Sequence, residues 1–157
     1  MPTLLWDVQE ALVPLFAAAV PSGVKVHRGP RGRTASEKRY VLVGTDGGTT
    51  GVESGDDQAM NAVQQESDMG PGGWRDEAGS VTCSVWSWTG SSKADIPRDD
   101  AKAIYEACEA AVLANRSLGG LSRFTEVTTI GIREEQTNAG PVVRVVFAIN
   151  YLGLVTP

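Results

Sequence analysis

Apolar and polar positions divide this chain into two helical stretches and a set of strands. The strongest helical pattern runs from Asp95 to Asn115. Ala101, Ile104, Tyr105, Cys108, Ala111, Val112 and Asn115 recur at three- and four-residue steps and so share one stripe. Asp99, Asp100, Lys102, Glu106 and Glu109 mostly lie off it. Asp95 suits the cap, Pro97 the first turn, and Asp99 and Asp100 the positive end of the helix dipole. Gly119 or Gly120 supplies the left-handed residue that ends the element. An N-terminal helix is predicted behind Thr3, with Leu5, Val8, Leu12, Leu15 and Ala19 as its apolar stripe. Pro14 removes one of its hydrogen bonds, so a kink or break is expected there.

The strands follow a period of two. Val143, Val145, Phe147, Ile149 and Tyr151 alternate with Val142, Arg144, Val146, Ala148 and Asn150, the clearest strand in the chain. From Ser80, Val81, Cys83 and Val85 face one way, and Thr82 and Ser84 the other. Trp86 and Trp88 fall on that second face. Either a bulge re-phases the strand there, or its far end is covered on both sides. Residues 24–27 form a short strand, and 39–44 an apolar run suited to an internal one. Residues 58–68 are ambiguous between helix and strand. The turn Met69-Gly70-Pro71-Gly72-Gly73 behind them favours a hairpin and hence a strand. Residues 123–132 read as a strand with Phe124, Ile130 and Ile132 on one face, residues 133–140 as a polar connection, and the tail from Leu152 as loosely held. The sum is an α+β fold: a mainly antiparallel sheet of five or six strands, packed by two helices and carrying long polar hairpin loops.

Length and charge narrow the function. A chain of 157 residues with 41% hydrophobic content is read as one domain, residues 1–157. A net charge of −5 argues against an outer surface dedicated to gripping nucleic acid. Cys83 and Cys108 are too few for a disulfide framework and read as buried small hydrophobes. No basic-then-apolar leader opens the chain, and no stretch reaches the roughly 20 apolar residues that span a bilayer, so neither a secretory signal nor a membrane partner is expected.

The candidate chemistry is thin. His27 is the single histidine, without Cys, Asp or Glu at ligand spacing, so no metal is expected. The basic stretch His27-Arg28-Gly29-Pro30-Arg31-Gly32-Arg33 reads as a solvated loop before a phosphate contact. The glycine-rich stretch after Thr45 lacks the spacing of a nucleotide-binding loop and reads as a loop without a cofactor. Neither a nucleophile elbow nor an exposed Cys-His pair is present, so no catalytic residue is assigned and no enzyme is expected. Trp74 and Arg75 at a rim suit a contact site, and Trp74 suits a lid on the edge of the core equally well.

The order of elements resembles the tail terminator proteins of long, flexible-tailed bacteriophages. Four features carry the likeness: the N-terminal helix before a strand and basic loop; the hairpin ending in 76–90, with Cys83, Trp86 and Trp88; the helix closing on Ala114-Asn115-Arg116-Ser117-Leu118-Gly119-Gly120; and the last hairpin, with Glu134-Glu135-Gln136-Thr137-Asn138-Ala139-Gly140 at its turn. The resemblance implies a structural virion protein at the neck-proximal end of the tail. Six copies would form a ring on the finished tube, stop its growth, and offer the surface for head joining. Its implied partners are its own copies, the tail tube protein and a head-completion protein, with DNA passing through the hole without sequence-specific binding and no cofactor. On that reading the candidate contacts are Trp74, Arg75, Trp86, Trp88, Glu134, Glu135, Gln136 and Asn138. The alternatives are a head-side connector or stopper subunit, and a small soluble ligand-binding domain.

Overall fold

The computed structural model describes residues 2–30, 37–45, 60–67, 72–88, 95–138 and 140–156. The basic positions Arg31 and Arg33 and the glycine-rich stretch 46–55 lie outside the described residues. In chain order the elements are α1 (Leu5–Ala19), β1 (Lys25–Arg28), β2 (Arg39–Val43), β3 (Met60–Glu66), β4 (Arg75–Trp88), α2 (Asp95–Ala114), a 3₁₀ turn (Leu118–Gly120), β5 (Phe124–Thr137) and β6 (Gly140–Val155). The expected α+β class, two helices on a mainly antiparallel sheet, is what the chain adopts.

The sheet is ordered β1-β2-β4-β6-β5 and is open. β3 lies beside the first half of β4 and β2 beside the second half. Among the described residues only the β1–β2 pair is parallel. The spine is the pairing of β4 with β6, unbroken from Arg75 opposite Val155 to Trp88 opposite Val142. That continuity settles the phase of Trp86 and Trp88. No bulge intervenes, and the strand's far end is covered on both sides, with Ser87 buried toward the helices and both tryptophans half-buried on the opposite face.

Both helices cover one face of the sheet. Val8, Leu12 and Phe16 of α1 and Ala101, Ile104, Cys108 and Val112 of α2 pack on Val41, Val43, Val81, Cys83, Val85, Val145, Phe147 and Ile149. Phe147 is the centre of this layer. Phe16 lies at 6.3 Å and Tyr105 edge-on at 5.2 Å, in the tilted arrangements that aromatic rings favour. Both cysteines are free and buried, and burial pushes their thiols up, Cys108 to about 12.

Several expectations are corrected. α1 runs on through Pro14, because Pro14 and Glu10, whose carbonyl loses its partner, both sit on the exposed side. Asn115 is exposed beyond the end of α2, where its side-chain amide donates to the Ala111 carbonyl at 3.0 Å. Leu118, Gly119 and Gly120 all take positive φ in the turn that follows. β4 begins at Arg75 and not at Ser80. Phe124 and Ile132 lie on opposite faces, because the β5–β6 register shifts between Thr129 and Gly131. Residues 133–137, expected as a polar connection, belong to β5. The tail from Leu152 to Val155 is held as the last part of β6, paired with β4 along its length, and Val155 is buried.

Candidate interaction surfaces

The face of the sheet turned away from the helices is built by the even-numbered residues of β4 and their partners. Across it, Trp86 stands between Tyr40 on β2 and Arg144 on β6. Tyr40 stacks on it at 5.9 Å with planes 12° apart, and the Arg144 guanidinium lies 5.2 Å from a Trp86 ring centre. Trp86 Nε1 donates to Ser84 Oγ at 3.0 Å. Trp88 follows in the next row, opposite Val142, which itself faces Glu135 on β5. A hollow of about 170 Å³ lies among Tyr40, Trp86, Ser87, Trp88 and Val142.

The contact residues expected from sequence therefore separate into two groups. Trp86, Trp88, Glu134, Glu135, Gln136 and Asn138 gather at the end of the sheet where β5 turns into β6. Trp74 and Arg75 stand at the other end, where Arg75 pairs with Val155. Arg75 and Trp88 are the first and last of the 14 residues of β4, about 43 Å apart at roughly 3.3 Å per residue step. Glu134 and Glu135 also point in opposite directions. Glu134 turns to the helix side and takes a two-pronged bond from Arg98 of α2, at 2.7 and 2.9 Å, which holds its carboxyl below the usual carboxylate range. Glu135 sits on the outer face with Arg133 at 3.6 Å. Gln136 and Asn138 are exposed near the hairpin tip.

Two features had no clear signal in the sequence. The first is a row of apolar side chains across four strands of the outer face. Val63 on β3 pairs with Ala78 on β4, Ala78 with Leu152 on β6, and Leu152 with Phe124 on β5. Val63 is 71% exposed, Leu152 51% and Phe124 38%. Hollows of about 410 and 340 Å³ flank Leu152 on this face.

The second feature is a buried acid. Glu77 Oε1 accepts from Tyr151 Oη at 2.6 Å, the Leu4 amide at 2.9 Å and Thr3 Oγ1 at 3.0 Å. Its Oε2 accepts from Gln64 Nε2 at 2.6 Å. Thr3, expected to cap α1, accepts from the Leu5 amide at 3.2 Å and donates its hydroxyl hydrogen bond to this acid. The network fastens the start of α1 to β3, β4 and β6. It is inaccessible to a substrate, since Glu77 has no exposed surface. Among the described residues no cluster of three or more His, Cys, Asp or Glu is placed to hold a metal ion. His27 lies 3.7 Å from Glu37 and edge-on to Tyr40. No described helix is long and apolar enough to cross a membrane.

The class these features define is an open, mainly antiparallel α+β sheet with helices on one face and an aromatic, partly apolar surface on the other. No protein-family model matches the chain, and no curated protein matches it. Among solved structures, it is similar to a chain in the virion of a native gene transfer agent particle. The two share 14% identity and a TM-score of 0.50, over 97% of this chain and 100% of that one. At that identity the likeness is one of fold.

Proposed function

We propose that this chain is a structural protein of a phage-type virion and that it closes the head-proximal end of the tail tube. On this reading copies form a ring, six by the family resemblance, which stops tube polymerisation and offers the surface for head joining. The partners are other copies, the tube protein and a head-completion protein, and DNA passes through the opening without being read. The chain carries no reaction and no cofactor in this role, and it resides in the virion neck. The observation that supports the reading most is the likeness in fold to a virion chain over 97% of this chain and 100% of that one.

The outer face fits the same role. A ring subunit meets its neighbour through two different surfaces in a head-to-tail contact. The exposed row of Val63, Ala78, Leu152 and Phe124 supplies an apolar surface suited to such a contact between copies. The test is to disrupt the gene in the genome that carries it and measure tail lengths by negative-stain microscopy. Overlong, irregular tails with few heads attached are expected. Tails of normal length beside heads that have lost their DNA would move the protein to the head side, and unchanged particles would overturn the virion role.

A further inference from the structure

A head-to-tail contact joins two different patches of one molecule, and the apolar row of the outer face is one of them. The other has to be apolar, firmly held and on the opposite flank. Outside the row, the largest exposed apolar side chain among the described residues is Trp6, 63% exposed near the start of α1. Its backbone is anchored. Thr3 and the Leu4 amide are bonded to Glu77, and Leu4 fills the space that Gly153 leaves. Trp6 shares a side of the helix with Glu10, which pairs with Arg28 of β1 at 2.6 Å. Gln64 of β3 donates to the Pro2 carbonyl. Trp6 therefore projects on the flank of β1 and β3, whereas Phe124 stands on β5 at the opposite edge of the sheet.

We propose that Trp6 of one copy seats in the hollow beside Phe124 and Leu152 of the next. This contact rests on the ring proposed above and assigns the residues that close it. Shape, hydrogen bonding and charge all match. The hollow holds about 410 Å³, room for an indole, and Ala78, Leu152 and Phe124 give it an apolar wall. An indole also brings one N–H that needs an acceptor when buried. Glu126, which lines the same hollow, is an exposed carboxylate with no partner among the described residues. Asp7 is exposed beside Trp6, and the Arg116 guanidinium lies 5.1 Å from the Phe124 ring centre. Neither has an ion-pair partner among the described residues. Seating Trp6 against Phe124 brings this acid toward this base. A tryptophan packed in a pocket is the type of residue that dominates an interface, and the anchored start of α1 lowers the ordering cost.

The test is disulfide trapping between full chains at submillimolar concentration. Cys83 and Cys108 are buried and stay out of the reaction. Trp6→Cys and Leu152→Cys are made separately and then mixed under mild oxidation. The mixture is expected to give a covalent dimer with one copy of each, while each variant alone stays monomeric in denaturing electrophoresis. Phe124→Cys takes the place of Leu152→Cys should that variant fail to fold. Arg116→Glu in the Leu152→Cys chain should cut the dimer yield at least fivefold, and Asp7→Arg in the Trp6→Cys chain should restore it. Absence of the mixed dimer overturns the proposal. Leu152→Cys linking to itself as readily overturns it as well, because the row would then meet the row, and so does a yield indifferent to Arg116→Glu. None of these failures touches the virion role, which the tail lengths of the disrupted gene decide. A mixed dimer beside unchanged particles would keep the contact between copies and remove that role.

Discussion

Glu77 gathers four donors from three separate segments, and all four depend on its being a pure acceptor. Glu77→Gln keeps the shape, removes one acceptor oxygen and turns an N–H₂ group toward groups that are already donors. The expected loss is about 2–4 kcal/mol in urea unfolding, the range for breaking a buried, charge-assisted network. Tyr151→Phe should cost less, about 1–2 kcal/mol, since it removes a donor and strands no charge on an unbonded oxygen. The double variant should lose less than the sum, because both act through one bond. The thiols give a pH signature. Burial holds Cys108 at about 12 and moves Cys83 in the same direction, whereas an unfolded thiol ionises near ~8.5. Between those values the unfolded chain has released protons that the fold still keeps. Stability therefore falls as pH rises from about 9, by roughly 1.4 kcal/mol per pH unit for each thiol. Tyr151, whose phenol is pushed up by burial and by Glu77, adds to the same slope at higher pH. Urea midpoints measured from pH 7 to 11 should show this decline. The Cys83→Ala/Cys108→Ala variant should start lower at pH 7 and fall less steeply.

At the scale of elements, β4 succeeds as a long strand because its inward positions meet partners matched to them. Gly79 leaves the space that the Tyr151 ring occupies, since a Cβ there would run into that ring. Gly79→Ala should cost about 2–3 kcal/mol by overpacking, because Tyr151 is held by Glu77 and has no free direction to yield. Gly131→Ala, where a Cβ meets nothing, should stay within ~0.5 kcal/mol, and paired thermal melts would separate the two. The same strand shows why part of the fold was legible in the sequence and part was not. Val81, Cys83 and Val85, like Val143 to Tyr151, carry their inward face as apolar residues, and period two reveals them. Arg75 to Gly79 turn Glu77 and Gly79 inward, and these positions make sense only beside Thr3, Gln64 and Tyr151, which are remote in sequence. Residues 133–137 look like a loop because Glu134 is drawn to Arg98 of α2 while Glu135 faces the other side. For the candidate surface, the pairing of Trp86 with Trp88 follows from their spacing. The distance of Trp74 and Arg75 from them does not, because it depends on β4 running unbroken from Arg75 to Trp88.

For the whole molecule, the two sides of the sheet do different work. The helix side holds the core, so a change there reads out as stability. On the outer side, the row of Val63, Ala78, Leu152 and Phe124 leaves apolar surface in water on a chain whose net charge of −5 otherwise favours separate, solvated copies. In the proposed ring that surface is covered by the next copy. Leu152→Glu tests this directly. The side chain is half exposed and its backbone pairing does not depend on the residue type, so folding stability should change by no more than about 1 kcal/mol. A third carboxylate, beside Glu126 and Asp76, would meet a desolvated contact between copies and oppose it, whatever the neighbour presents to the row. Sedimentation of the purified variant should show a folded protein with far weaker self-association than wild type. The virus carrying it should make tails as overlong as those of the disrupted gene. Tails of normal length from a folded Leu152→Glu protein would remove this row from the contact between copies while leaving the role in the virion to the gene disruption.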